Sequence, residues 1–384
     1  MQDDNAPISR RKFAEELERY RKGSVSRRHF LGVTGLGTAM AVMAGAMPML
    51  RPRGAHAADL GDRAVLATWP NYHDVENFAI FQKETGVATQ VNVFGSNEEM
   101  LAKLQAGGSG WDVFVPTNYT ITTYVDADLI EPLDLSKLPN YDAAAFDARF
   151  ADAGTVNGKL YAVPKNWGTT GMAWDSTKAK APFTSWKEFF DLTMTDFSGR
   201  TMVHDYQLTT IGNALKYYGY SFNSVDPKEL ADAEKLLLQV KPHLFAISSD
   251  YQPSMRNGDA WMTMCWTGEG KQMNRDIPEI HFALGKEGGE IWSDYYAIPK
   301  NAPHREAAYA LINFLIDPQV NAREATAHGF PVADSRVNAL LPKEVLADPI
   351  LYPAADLLNA QEFGAAATLT DPNRAELMAR FKSA

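Results

Sequence analysis

The chain of 384 residues predicts an α/β fold built as two lobes. Three observations carry that expectation. Strand-like runs alternate with amphipathic helical runs from residue 64 to residue 116, the pattern of a parallel sheet flanked by helices. The polypeptide beyond an N-terminal leader, residues 58–384, exceeds what one hydrophobic core usually supports. No flexible linker, repeat or low-complexity tract divides it, so the chain is expected to pass between lobes on ordered segments.

AVLATW (64–69) reads as the first strand, VENFAIFQKETG (75–86) as a helix closed by Gly86, and ATQVNVFG (88–95) as the second strand. NEEMLAKLQAGG (97–108) is a helix stopped by two glycines, and WDVFVP (111–116) is a third strand. Ligands of such sheets sit beyond the carboxyl ends of strands, here at the loops 69–72 and 116–119. LYAVPKNWGTTGMAWD (160–175) runs through Trp167-Gly168 without turn punctuation, as a crossing strand does. Residues 184–246 read as mainly helical, DAWMTMCW (259–266) as a strand, and REAAYALINFLI (305–316) as an amphipathic helix.

Residues 24–57 combine Arg27-Arg28, an uncharged run from Phe30 to Leu50, and the small-x-small exit Ala55-His56-Ala57. Ser26-Arg27-Arg28-His29-Phe30-Leu31 resembles a twin-arginine export signal, predicting cleavage before Ala58 and a periplasmic location. The run is also long enough to span a membrane, but its Gly, Thr and Ala content and small-residue exit favour cleavage. Ser9-Arg10-Arg11 precedes EELERYRK instead of an apolar run and reads as part of a long leading region. Removing residues 1–57 leaves 27 basic and 42 acidic side chains, a formal net charge of −15. That balance disfavours nucleic acid and anionic membranes, which need a basic footprint, and suits a collector of cations. The lone Cys265 lies in the apolar WMTMCW run and reads as a buried, inert thiol.

No HExxH, GxSxG or Walker sequence occurs, and Gly268-Glu269-Gly270-Lys271 lacks the spacing of a phosphate loop. No catalytic residue, cofactor or metal is therefore expected. The histidines after residue 57 stand apart in loop-like sequence and read as surface or cap residues. Carboxylates are plentiful, but no pair is set apart by its surroundings in a way that suggests acid/base work.

Aromatic residues instead gather at strand ends: Trp69, Tyr72, Tyr119, Trp266, Trp292 and Phe330. Within EIWSDYYAIP (290–299), strand alternation puts Trp292, Asp294 and Tyr296 on one face. A carboxylate on an aromatic face needs a partner. Aromatic faces attract organic cations by about 0.5–2 kcal/mol each, and a charged hydrogen bond adds roughly 1.5–3 kcal/mol. Several rings and one carboxylate then reach micromolar binding, near −8 kcal/mol. Asp294 reads as the anchor of an ammonium group, solvated while the cleft is open.

The segments ATWPNY, FQKETG, KLQAGGSGWDVFVPTNY, PLDLSKLPN, YAVPKNWGTTG, VDPKEL, KEGGEIWSDYYAIP, LINFLIDP and HGFP, in that order, resemble the periplasmic spermidine/putrescine-binding proteins of polyamine ABC transporters. The resemblance covers nearly all of residues 58–384. It implies a type II periplasmic-binding fold whose two lobes close on a ligand, and permease subunits as membrane partners. The lobes are expected at 58–168 plus 293–338 and at 169–292 plus 339–384. The family's ligand-contacting positions fall on Trp69, Tyr72, Thr117, Tyr119, Trp266, Trp292, Asp294 and Phe330. Phe330 stands where the family often has tyrosine.

One departure concerns the far end of the ligand. The family supplies a second acid just before the ALKYYGY helix, where this chain has Thr209. Asp205, one turn earlier, is a candidate substitute. Lys271, five residues beyond Trp266, is a candidate for facing the cleft, where it would favour a zwitterionic ω-amino acid over a diamine. Ferric-binding relatives of the fold use neighbouring tyrosines, and Tyr295-Tyr296 invites that comparison, although in a strand the two rings face opposite ways.

Overall fold

A computed structural model describes residues 60–70, 72–179 and 182–384, which belong to one compact unit, Ala58–Ala384. The leader with Arg27 and Arg28 lies outside the described residues, and no described helix is long and apolar enough to cross a membrane.

β1 (Arg63–Thr68), α1 (Val75–Thr85), β2 (Ala88–Val93), α2 (Asn97–Gln105) and β3 (Val113–Phe114) follow in the predicted order, with β1 parallel to both β2 and β3. Local chemistry sets the helix ends. The Asp74 side chain accepts from the Glu76 N–H at 2.9 Å, and Gly86 takes the left-handed conformation at φ 82° that closes α1. Ser96 accepts from the Glu99 N–H while the Glu99 carboxylate accepts from the Gly95 N–H, a reciprocal cap that begins α2 beside the loop 116–119.

After a small hairpin, β4 (Thr155–Val156) and β5 (Lys159–Leu160), comes the long strand β6 (Ala162–Asp175). β7 (Thr201–Val203), α3 (Gln207–Tyr217), α4 (Pro227–Val240), β8 (Leu244–Ile247), β9 (Met262–Trp266), α5 (Thr267–Asp276) and β10 (Ile280–Ala283) build a second group, in which β7 is parallel to β8 and β9. β11 (Gly289–Ala297), α6 (Arg305–Leu315), α7 (Pro318–His328), β12 (Gln361–Phe363) and α8 (Pro372–Ser383) complete the main elements. One sheet runs β2-β1-β3-β11-β6-β9-β7-β8, with β10 and β12 attached to β6 and β11.

The sheet is mixed, not purely parallel as alternating elements suggested. β6 runs antiparallel to β9, β10 and β11, because the chain crosses the molecule on β6 and returns on β11. β6 feeds two separate cores: Val163 and Trp167 join one with Phe81, Ile312 and Leu315, whereas Met172 and Trp174 join another with Trp186, Phe189 and Leu237. Fully burying each such side chain contributes about 1.5–3 kcal/mol. Residues 339–384 serve both cores: Tyr352 and Phe363 pack on the first, while Leu377, Met378 and Phe381 belong to the second.

Candidate ligand-binding site

β6 and β11 are buried along almost their whole length, so their side chains must pack or pair on both faces. Their antiparallel register sets Glu290 opposite Thr170, Trp292 opposite Gly168, and Asp294 opposite Asn166. Paired residues share a face, so these six form one two-column patch at the centre of the sheet. Trp266 of β9 is paired with Thr170 and extends the patch sideways. Gly168 is required where it stands: a Cβ there would come within 2.5 Å of the Trp292 indole, which lies across it.

Loops from the β1–β3 side cover the Asp294 end. Tyr72 Oη lies 2.7 Å from Asp294 Oδ2 and 2.8 Å from the Asn166 amide. Phe330 packs edge-on against both Tyr72 and Trp292, with ring centroids 5.3 Å apart in each pair. Asp294 is only 4% exposed, and its Oδ1 is buried without a hydrogen-bond partner among the described residues. The Asn166 amide nitrogen and the Trp292 indole nitrogen are likewise buried and unpartnered. Burial pushes the Asp294 carboxyl up to about 7, against the opposing pull of the Thr117 and Tyr72 hydroxyls and the Lys165 ammonium. The expected solvated carboxylate is therefore corrected. Tyr72, Trp292 and Phe330 close over Asp294, and the group is held in a low-dielectric interior.

Beneath this end lies a buried ion pair, Lys165 Nζ to Glu324 Oε2 at 3.3 Å. Glu324 Oε1 also accepts from Asn77 and from the Asp74 N–H, which fixes the start of α1 and the loop carrying Tyr72. Lys165 sits over the Tyr72 ring at 4.7 Å and the Tyr296 ring at 5.5 Å.

At the opposite end, Glu290 is 2% exposed. Its Oε2 accepts from the Thr170 hydroxyl at 2.6 Å and from the Thr209 hydroxyl at 3.3 Å. Burial raises its carboxyl to about 7; the two hydroxyls oppose that shift and the charge of Asp294 adds to it. Two carboxylates four residues apart on one strand are thus both buried and both raised. Alternation alone places Glu290 on the face of Trp292 and Asp294. That signal was present in EIWSDYYAIP, as was the position of Asn166 in the crossing strand.

The remaining predicted residues divide. Thr117 bridges to Asp294 across the sheet, and Asn97 donates to both the Thr117 and Tyr119 hydroxyls at 3.1 and 2.9 Å. Tyr119 is buried in the field of Glu290 and Glu98. Trp266 is half-buried, packs against the core that holds Trp292 and against a smaller cluster with Tyr251 and Met273, and donates its indole N–H to Tyr206 at 3.2 Å. Trp69 is half-buried too, but its N–H is committed to the Val115 carbonyl and its ring packs edge-on against Phe94.

Two candidates turn elsewhere. Asp205 is exposed and accepts from the Ser249 hydroxyl at 2.5 Å, because it precedes α3 instead of lying on its inner face. Lys271 pairs with Asp348 at 2.5 Å, so its charge is already met by an acid from the late segment. Tyr295 lies in one core cluster and donates to the Phe150 carbonyl of another, the cluster that also holds Tyr296. Two histidines also depart from expectation: His204 and His328 are buried, stacked among aromatic rings, and held well below the ordinary imidazole range by desolvation. Cys265 is buried, as its apolar run predicts.

Residues 76–353 match the family model of bacterial extracellular solute-binding proteins. The spermidine/putrescine-binding periplasmic protein of Escherichia coli is 32% identical over 80% of this chain and 88% of its own length. A putrescine-binding periplasmic protein of Pseudomonas aeruginosa is 31% identical over 78% of this chain and 87% of its own. Among solved structures, a spermidine/putrescine ABC transporter substrate-binding protein from Streptococcus pneumoniae superposes with a TM-score of 0.71, at 28% identity, covering 84% of this chain and 99% of that one.

Proposed function

This chain belongs to the bacterial extracellular solute-binding proteins, and we propose that it captures polyamines of the putrescine/spermidine class in the periplasm and delivers them to the permease of an ABC importer. The observation that carries the ligand class is Asp294 Oδ1, a buried carboxylate oxygen with no partner among the described residues, walled by Tyr72, Trp292 and Phe330. An ammonium group satisfies that oxygen, and the π faces add about 0.5–2 kcal/mol each. A neutral or anionic ligand leaves the charge unmet, which a desolvated site penalises. Catalysis is no part of this role.

The ω-amino acid alternative loses its main support, because Lys271 is already paired with Asp348. Ferric binding through Tyr295-Tyr296 loses its support in the same way, since the two rings serve different cores. In this proposal the lobes around the two cores close on the ligand by bending where β6 and β11 cross, and the leader directs twin-arginine export.

Titration calorimetry of residues 58–384 with putrescine tests the ligand class. Asp294→Asn keeps the side-chain size and removes the charge, so affinity should fall by roughly ten- to hundredfold. Micromolar binding by the parent with no loss in Asp294→Asn would make the carboxylate structural, and absence of binding to any diamine would overturn the proposal. Export has a separate test: replacing Arg27 and Arg28 with lysine should abolish periplasmic accumulation.

A further inference from the structure

We infer that Glu290 is the second ammonium anchor of this site, holding the far end of a short diamine whose near end rests on Asp294. The inference builds on the polyamine reading above and names the residue that makes the site select two charges over one. The starting point is an apparent gap. Thr209 occupies the position where the resemblance implies an acid, and Asp205 points to solvent and Ser249. The Thr209 hydroxyl is not idle, however. It donates to Glu290, so the polar group on α3 holds a carboxylate that comes from the strand instead of supplying one itself.

Geometry supports the pairing. Glu290 and Asp294 lie on the same face of β11, ahead of the irregularity between Asp294 and Tyr295. At roughly 3.3 Å per residue their Cα atoms are about 13 Å apart. Between them lies the Trp292 indole, an apolar surface suited to a methylene chain. Thr170 and Thr209 both donate to Oε2, which orients the carboxylate; in this inference Oε1 receives the ammonium. Glu290 also sits in the electrostatic reach of Tyr119 and Tyr206, so aromatic groups flank this end as they flank the other. Each buried carboxylate needs a counter-charge when ionised, and a dication meets both where a monocation leaves one desolvated and unpaired.

A purely structural Glu290, stitching β6, β11 and α3 together, predicts something different. Calorimetry with putrescine and 1-butylamine on the parent, Glu290→Gln and Asp294→Asn separates the two. The parent should prefer putrescine, and Glu290→Gln should cut that preference by about ten- to hundredfold while leaving butylamine affinity nearly unchanged. Asp294→Asn should weaken both ligands. An unchanged preference in Glu290→Gln, or an equal loss of both ligands, overturns the inference. If Asp294→Asn leaves both affinities intact, the near anchor fails and the inference with it, whereas the polyamine reading falls only if the parent binds no diamine. Should Glu290→Gln fail to fold, the parent still decides: N-acetylputrescine keeps one ammonium, and binding it as tightly as putrescine overturns the second anchor.

Discussion

Tyr72 Oη lies 2.7 Å from Asp294 Oδ2, tying the loop after β1 to a strand 222 residues further along. Burial and the neighbouring carboxylate hold the phenol well above its ordinary range, so it stays a donor. Tyr72→Phe keeps the ring and removes the phenol's hydrogen bond to Oδ2. The orphaned acceptor costs about 1–3 kcal/mol, readable as a lower urea midpoint at unchanged slope. Asp294 should also hold its proton to higher pH, weakening putrescine binding at neutrality. Parental affinity in Tyr72→Phe would mean that the phenol does not tune the carboxylate.

The two raised carboxyls predict opposite pH trends for the free and bound protein. Asp294 and Glu290 rise from 3.8 and 4.5 to about 7 in the fold. Between those ordinary values and 7, the folded ligand-free state binds more protons than the unfolded chain, so their contribution to stability is present at low pH and lost as pH rises through 7. An ammonium ligand requires the ionised form, so affinity should climb over the same interval, approaching tenfold per pH unit for each carboxylate that must ionise. The groups facing them are Tyr72, Lys165, Tyr119 and Tyr206; the tyrosines remain neutral there. Thermal melts between pH 5 and 8 should show a shallower pH dependence in Asp294→Asn than in the parent. Parallel curves would contradict the burial argument.

Much of this was legible in sequence, and the misses share a cause. Alternation and capping residues located α1, α2, β6 and β9 to within a few residues, because each element's ends are set by local chemistry such as Asp74 and Gly86. Asp294 was visible as a charge on an aromatic face. The partners of Lys271 and Asp205, Asp348 and Ser249, are remote in sequence, and no spacing rule reports them. Glu290 was overlooked although the same period-2 rule that selected Asp294 includes it. The Lys165–Glu324 pair joins residues 159 positions apart and left no local signal.

Gly168 carries a prediction of its own. It faces Trp292 across the ladder, and an alanine Cβ would meet the indole at 2.5 Å. Relief requires the ring to leave its place between Phe330 and the strand. Gly168→Ala should therefore destabilise the protein by about 1–3 kcal/mol and weaken putrescine binding more than a distant variant of equal instability. Chemical denaturation and calorimetry together check this; parental values for both would show that the indole has room to move.

The Lys165–Glu324 pair gives the sharpest stability test. Both side chains are nearly inaccessible, at 3% and 1%, and Glu324 also holds the Asp74 N–H and Asn77. Desolvation draws the Lys165 ammonium below its ordinary range, while Glu324 and Asp294 pull it back. Lys165→Met removes the cation and leaves Glu324 buried and uncompensated, so a loss of about 3–5 kcal/mol is expected. Replacing both, as Lys165→Met with Glu324→Leu, deletes the stranded charge and should recover part of that loss. The recovery stays incomplete, because the Asp74 N–H and the Asn77 amide lose their acceptor. Urea midpoints of the two single variants and the double variant measure the coupling directly. Losses that simply add would mean that the two groups do not sense each other, and that Lys165 is held by the Tyr72 and Tyr296 rings instead.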